Sequence, residues 1–178
     1  MNIHLIPRAA ATALVVVGAS VSTSADASAF GQWQLPSPLD GAWEVSTTPL
    51  DCATGEEFPF FTVLSYVTIA SGGTVVESNS NASFQPGQRS EGIGFWERTG
   101  RKSYHAFFKA FLQFDTVDPP PPPARSYHRG TQSFDHTIEM QDANHWTSTA
   151  AVTFTDLSGD TVYLQGCAKA VAQRMEAR

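Results

Sequence analysis

Short extended runs, broken at close intervals by turn residues, fill the chain from Gly41 to Ala172. They are Gly41–Thr47, Phe60–Ala70, Thr74–Asn79, Gly94–Thr99, Ser103–Asp115, Tyr127–Met140, His145–Asp156 and Thr161–Ala172. Ser71-Gly72-Gly73, Gly100-Arg101 and Leu157-Ser158-Gly159-Asp160 leave only hairpin-length gaps between neighbours. No stretch shows a convincing helical period. About eight strands joined by short turns narrow the fold to a sandwich or a barrel. Few connections are long enough for the crossings of a Greek-key sandwich. The expectation is an all-β chain: one antiparallel up-and-down barrel of about eight strands over 39–174, with 175–178 as a tail.

The chain before this pattern reads differently. Arg8 precedes an apolar run, Ala9–Val21, and the small-x-small patterns Ala25-Asp26-Ala27 and Ala27-Ser28-Ala29 follow. A basic start, a short apolar segment and a small-residue exit describe a signal peptide over 1–29. The run is short for a bilayer span, so no membrane insertion is expected once it is removed. Residues 30–38 form a Pro-containing leader. The expected location is secreted or periplasmic.

Cys52 and Cys167 are the two cysteines. In an exported chain an even count favours a disulfide, and their positions suit a bond tying the first strand to the last. There is no CxxC pair for redox chemistry. The formal net charge is -6, and Lys and Arg form no run or stripe. Nucleic acid is therefore a poor partner, as is an anionic lipid surface. Pro119–Pro123 interrupt the strand pattern as a stiff loop, because proline lacks the amide proton a ladder needs.

Alternate residues of a strand face opposite sides. In the fifth run Tyr104, Ala106, Phe108, Ala110, Leu112 and Phe114 share one face, while His105, Phe107, Lys109, Phe111 and Gln113 share the other. Phe134, His136, Ile138 and Met140 align in the sixth, and Trp146, Ser148, Ala150, Val152 and Phe154 in the seventh. A lumen with ligand-contacting aromatics would draw on Trp96, Phe108, Phe111, Phe134, His136 and Phe154. Glu97 and Lys109 are polar candidates that could polarise a carbonyl or hold a carboxylate there, or else form a surface ion pair.

Several segments carry a family resemblance. They are Gly41-Ala42-Trp43-Glu44-Val45, Cys52-Ala53-Thr54-Gly55, Pro86-Gly87-Gln88-Arg89-Ser90, Trp96-Glu97-Arg98-Thr99-Gly100, Phe111-Leu112-Gln113-Phe114-Asp115 and Gly166-Cys167-Ala168. Together they resemble a largely uncharacterised family of exported bacterial proteins. The resemblance implies a small calycin-type barrel, broadly like lipocalins and allene oxide cyclases. Gly41-Ala42-Trp43 is similar to the lipocalin Gly-x-Trp at the start of the first strand. That likeness implies a Trp43 that plugs one barrel end beneath an Arg near the last strand, a place Arg174 could take. The cysteine placement departs from the usual lipocalin one, and no catalytic residue of an allene oxide cyclase maps onto this chain.

No strong catalytic motif appears: no Gly-x-Ser-x-Gly elbow, no His-Glu-x-x-His and no phosphate-cradling Gly-rich loop. His128 and His136 are eight residues apart, roughly 25 Å on a regular strand, so no metal site is expected from them, and no cofactor is implied. Three readings follow. The first is binding of a small apolar molecule in the lumen, the form such sites usually take. The second is a cyclase or isomerase in the same pocket, favoured by a lone lumenal group of strongly shifted pKa. The third is a filled barrel serving as a structural or interaction protein. Binding is preferred by analogy with the fold class.

Overall fold

The computed structural model describes residues 36–58, 61–113 and 129–176. The expected signal peptide over 1–29, most of the leader, the proline run Pro119–Pro123 and His128 lie outside them. The described residues form eight strands: β1 (Gly41–Leu50), β2 (Val63–Ala70), β3 (Thr74–Asn79), β4 (Gly92–Arg98), β5 (Ser103–Leu112), β6 (Gly130–Met140), β7 (His145–Thr155) and β8 (Val162–Arg174). Each pairs antiparallel with the next, and β8 pairs back onto β1, closing an up-and-down barrel. At this strand number the interior is just wide enough for side chains to fill it or for one small ligand.

Boundaries move by a few residues from the sequence reading. β4 starts at Gly92 rather than Gly94, because Glu77 on β3 pairs with Gly92. β8 runs on past Ala172 to Arg174, which pairs with Trp43.

Alternation sorts each strand into a buried and an exposed side, with Trp43 and Val45 inward on β1 and Val67 and Ile69 inward on β2. One barrel end is packed shut by Leu39, Trp43, Trp96, Tyr104, Met140 and Trp146, all buried. Trp43 and Trp146 meet edge-on at 6.0 Å between centroids, and Trp96 and Tyr104 at 5.7 Å. Such pairs add about 0.5–1.5 kcal/mol beyond the area they bury. Both other indole donors at this end are used: Trp43 Nε1 donates to Leu39 O at 2.9 Å and Trp96 Nε1 to Ala70 O at 2.9 Å.

Arg174 caps the same end from outside. Its guanidinium lies 4.2 Å from the centroid of the Trp43 ring. Its N–H groups donate to the carbonyls of Pro38, Asp40 and Ala143. Gly41 makes room for it: φ there is +138°, and a Cβ would fall 2.4 Å from Arg174 Nη1. Cys52 and Cys167 form a disulfide at the opposite end, where Leu50 pairs with Cys167 across the β1–β8 seam. That bond is consistent with an oxidising, extracytoplasmic compartment.

Candidate functional site: the barrel lumen

Between the closed floor and the disulfide end lies a cavity of about 60 Å³. Val45, Val67, Ile69 and Val75 from β1–β3 line one side, and Ala106, Phe108, Phe134, His136 and Ile138 from β5 and β6 line the other. Trp146 lines it from β7, and Thr47, Val63, Asn79 and Asn81 lead toward the disulfide end. A larger hollow, about 600 Å³, lies on the outer face of β1, β2 and β8 among Glu44, Leu64, Tyr66 and Val171. It is a surface groove among the described residues.

Phe108, Phe134 and His136 stack on one another. Their centroids are 5.0, 5.4 and 5.8 Å apart in pairs, with interplanar angles of 22°, 21° and 18°. Register explains the grouping, since Phe108 pairs directly with Phe134 and His136 follows two residues along the same face. Gly92 explains the room: a Cβ there would sit 2.7 Å from Phe108 Cδ2 and 3.0 Å from Glu77 Oε2.

His136 Nδ1 lies 3.0 Å from Ser148 Oγ on β7. Burial pushes the imidazole pKa down to about 4, a fall that nearby Asp135 opposes and His105 reinforces. The ring is therefore neutral at pH 7. Trp146 Nε1 is buried and has no hydrogen-bond partner among the described residues.

A second polar group crosses the lumen near the disulfide end. Arg89 reaches in from the β3–β4 connection, and its Nη2 lies 2.8 Å from Glu77 Oε2, both side chains being 4% exposed. Arg89 Nε donates to Gln132 Oε1 on β6, and Ser65 Oγ donates to Glu77 Oε1. The guanidinium also stands 6.0 Å from the Phe134 ring centroid. Taking an ion pair out of water costs several kcal/mol per ion unless its hydrogen bonds are made; Gln132 and Ser65 make them here.

The structure brings Phe108, Phe134 and His136 together and separates the other candidates from them. Trp96 is buried in the closed floor, away from the cavity lining. Phe154 has inward parity but is only half-buried and lies outside the lining. Phe111 points outward and is 49% exposed; three residues from Phe108, it must take the opposite face. Glu97 and Lys109 are corrected for the same reason. Trp96 points in, so Glu97 points out, and its carboxylate lies 3.4 Å from His105 on the surface. Lys109, between the inward Phe108 and Ala110, is exposed with its ammonium 5.8 Å from the Phe107 centroid.

Sequence reasoning missed Glu77 and Arg89. Val75-Val76-Glu77 hides its parity behind two valines, and Arg89 sits in a connection with no period. Comparison with family models, curated proteins and solved structures gave no match. The fold and the lumen define the class: a closed eight-stranded antiparallel barrel with a small apolar cavity.

Proposed function

We propose that the barrel binds one small, largely apolar molecule in its lumen. The observation that carries this reading is the apolar cavity held between a packed floor and the disulfide end. Its volume of about 60 Å³ is well below the roughly 300–1,000 Å³ of drug-sized sites. The ligand is therefore compact, or inserts one compact group and leaves the rest at the mouth. The resemblance to calycin-type barrels and the expected export through a signal peptide support an extracytoplasmic binding protein.

An enzymatic reading gains little from His136. Efficient general bases have pKa values near the working pH, and burial has moved this one to about 4. A filled barrel is the second reading, favoured by the Arg89–Glu77 pair that already occupies part of the lumen. Its contact surface would be the outward aromatics Phe95, Phe107 and Phe111.

Native mass spectrometry of the oxidised protein, before and after organic extraction, separates the two. An extractable adduct is the expected result. No adduct, and no uptake from a panel of small aromatic, terpenoid and fatty compounds, would move the assignment to the filled barrel.

A further inference from the structure

We propose that the outer face of β3, β4 and β5 is a two-fold interface, on which a second copy of this chain docks over Ile93, Phe95 and Phe107. The interface lies outside the barrel and goes beyond the lumenal reading above.

The first observation is an apolar patch where alternation calls for polar side chains. Ile93 and Phe95 face outward from β4 at 64% and 49% exposure, and Phe111 from β5 at 49%. Half-buried Val76 and Phe107 fill the space between them. The register makes one surface of these neighbours: Val76 pairs with Ile93, Ile93 with Lys109, and Phe95 with Phe107. The Phe95 and Phe107 rings meet at 5.8 Å. That cross-strand contact stabilises the sheet, yet it leaves half of Phe95 and most of Ile93 in water.

The second observation is size. Aromatic side chains carry about 150–250 Å² each, so the patch leaves on the order of 400 Å² of apolar surface exposed. The largest patch on a monomer covers about 300–600 Å² and is often functional. A standard interface covers about 800 Å² per partner, of which roughly 450 Å² is apolar. The patch therefore matches the apolar share of one such interface. Thr74 beside Phe95 and Ser133 beside Lys109 begin the polar rim.

The third is charge, which selects the occupant. Lys109 is exposed within the patch, its ammonium 5.8 Å from the Phe107 centroid. It has no carboxylate partner among the described residues. Glu91, exposed two residues before Ile93, has no cationic partner among them either. The other carboxylates at this face, Glu97 and Asp135, both lie against His105. A two-fold contact is reciprocal, so Lys109 of each copy can meet Glu91 of the other. A surface of one sign would match only one of the two charges. A second copy supplies both.

The test is sedimentation equilibrium of the mature protein, disulfide oxidised, across the micromolar range. A monomer–dimer equilibrium is expected. Ile93→Ser and Phe95→Ser should each weaken the dimer about tenfold. Tyr163→Ser, at a 62% exposed position on β8, should leave it unchanged. Lys109→Glu and Glu91→Lys should each weaken it severalfold, and the two changes together should restore it. A monomer at every concentration overturns the inference and leaves the face to a different partner. An assembly that grows past a dimer also overturns it, as does a dimer that both serine variants leave intact. A charge swap that brings no recovery overturns the reciprocal contact. Should a serine variant not fold, the charge variants decide alone.

Discussion

Arg174 and Trp43, at opposite ends of the barrel's sequence, are paired across the β1–β8 seam with the guanidinium stacked 4.2 Å from the indole centroid. The stack joins two jobs. It covers the floor of the lumen, and its hydrogen bonds hold Pro38 and Asp40, the residues that lead into β1.

Replacing Arg174 by Ala is expected to destabilise the protein by about 2–4 kcal/mol, since a cation–π contact and several charge-assisted hydrogen bonds go together. Arg174→Lys should recover only part, because an ammonium cannot supply the planar fork. Gly41→Ala should cost about 1–3 kcal/mol through its backbone angle alone, plus the collision with Arg174. In the double variant that collision is gone, so urea unfolding should show the two losses adding to less than their sum.

Acid should weaken the fold in a defined window through His136. Its pKa is about 4 in the folded protein against about 6.5 for a solvated imidazole. The unfolded chain takes up the proton first, so the contribution is complete above pH 6.5. It falls away as pH drops toward 4. The shift corresponds to a loss on the order of 3 kcal/mol. His136→Phe removes the titration, and its stability should be flatter between pH 6.5 and 4 in chemical denaturation. A wild type with no decline over that interval would show that the ring is not held neutral by burial.

The Glu77–Arg89 pair should behave as a buried pair. Glu77→Gln or Arg89→Met alone strands one charge and is expected to cost about 3–5 kcal/mol. The double variant should cost markedly less than the sum of the two single losses, and a double-mutant cycle by urea unfolding measures the difference.

Removing the disulfide with the double variant Cys52→Ser, Cys167→Ser releases a loop with a sequence separation of 115. The chain-entropy model gives about 4–5 kcal/mol for a loop of that length. Thermal unfolding with and without reductant checks it, and the serine variant should be insensitive to reductant.

How far the sequence carries can be seen residue by residue. The period of two placed Tyr104, Ala106 and Phe108 on one face and Trp146 and Ser148 on another, and both faces are inward. Turn residues gave the strand order, because hairpin-length gaps allow only neighbouring antiparallel strands. The cysteine count suggested a covalent tie between first and last strands, and Cys52–Cys167 supplies it. Reading Phe108 and Phe111 together as lumenal breaks the same period of two, as does reading Glu97 beside Trp96. The close approach of Phe108 to Gly92, where a Cβ would fall 2.7 Å from Cδ2, is something no pattern of residue types reveals. Arg89 enters the lumen from a connection, where periodicity has nothing to say.

Closure of the ring by β8 on β1 also governs how the protein meets copies of itself. Among the described residues a closed ladder leaves no row of unpaired strand amides for another chain to extend. The shortest ladder is β3–β4, spanning only Thr74–Glu77 against Gly92–Phe95. An edge would be uncovered there first, in segments rich in Val, Ile and Phe. Arg89 and Glu77 are bonded beside that ladder. Glu77 is itself the last β3 residue of that ladder, so the buried ion pair also ties the β3–β4 connection to the barrel's shortest seam.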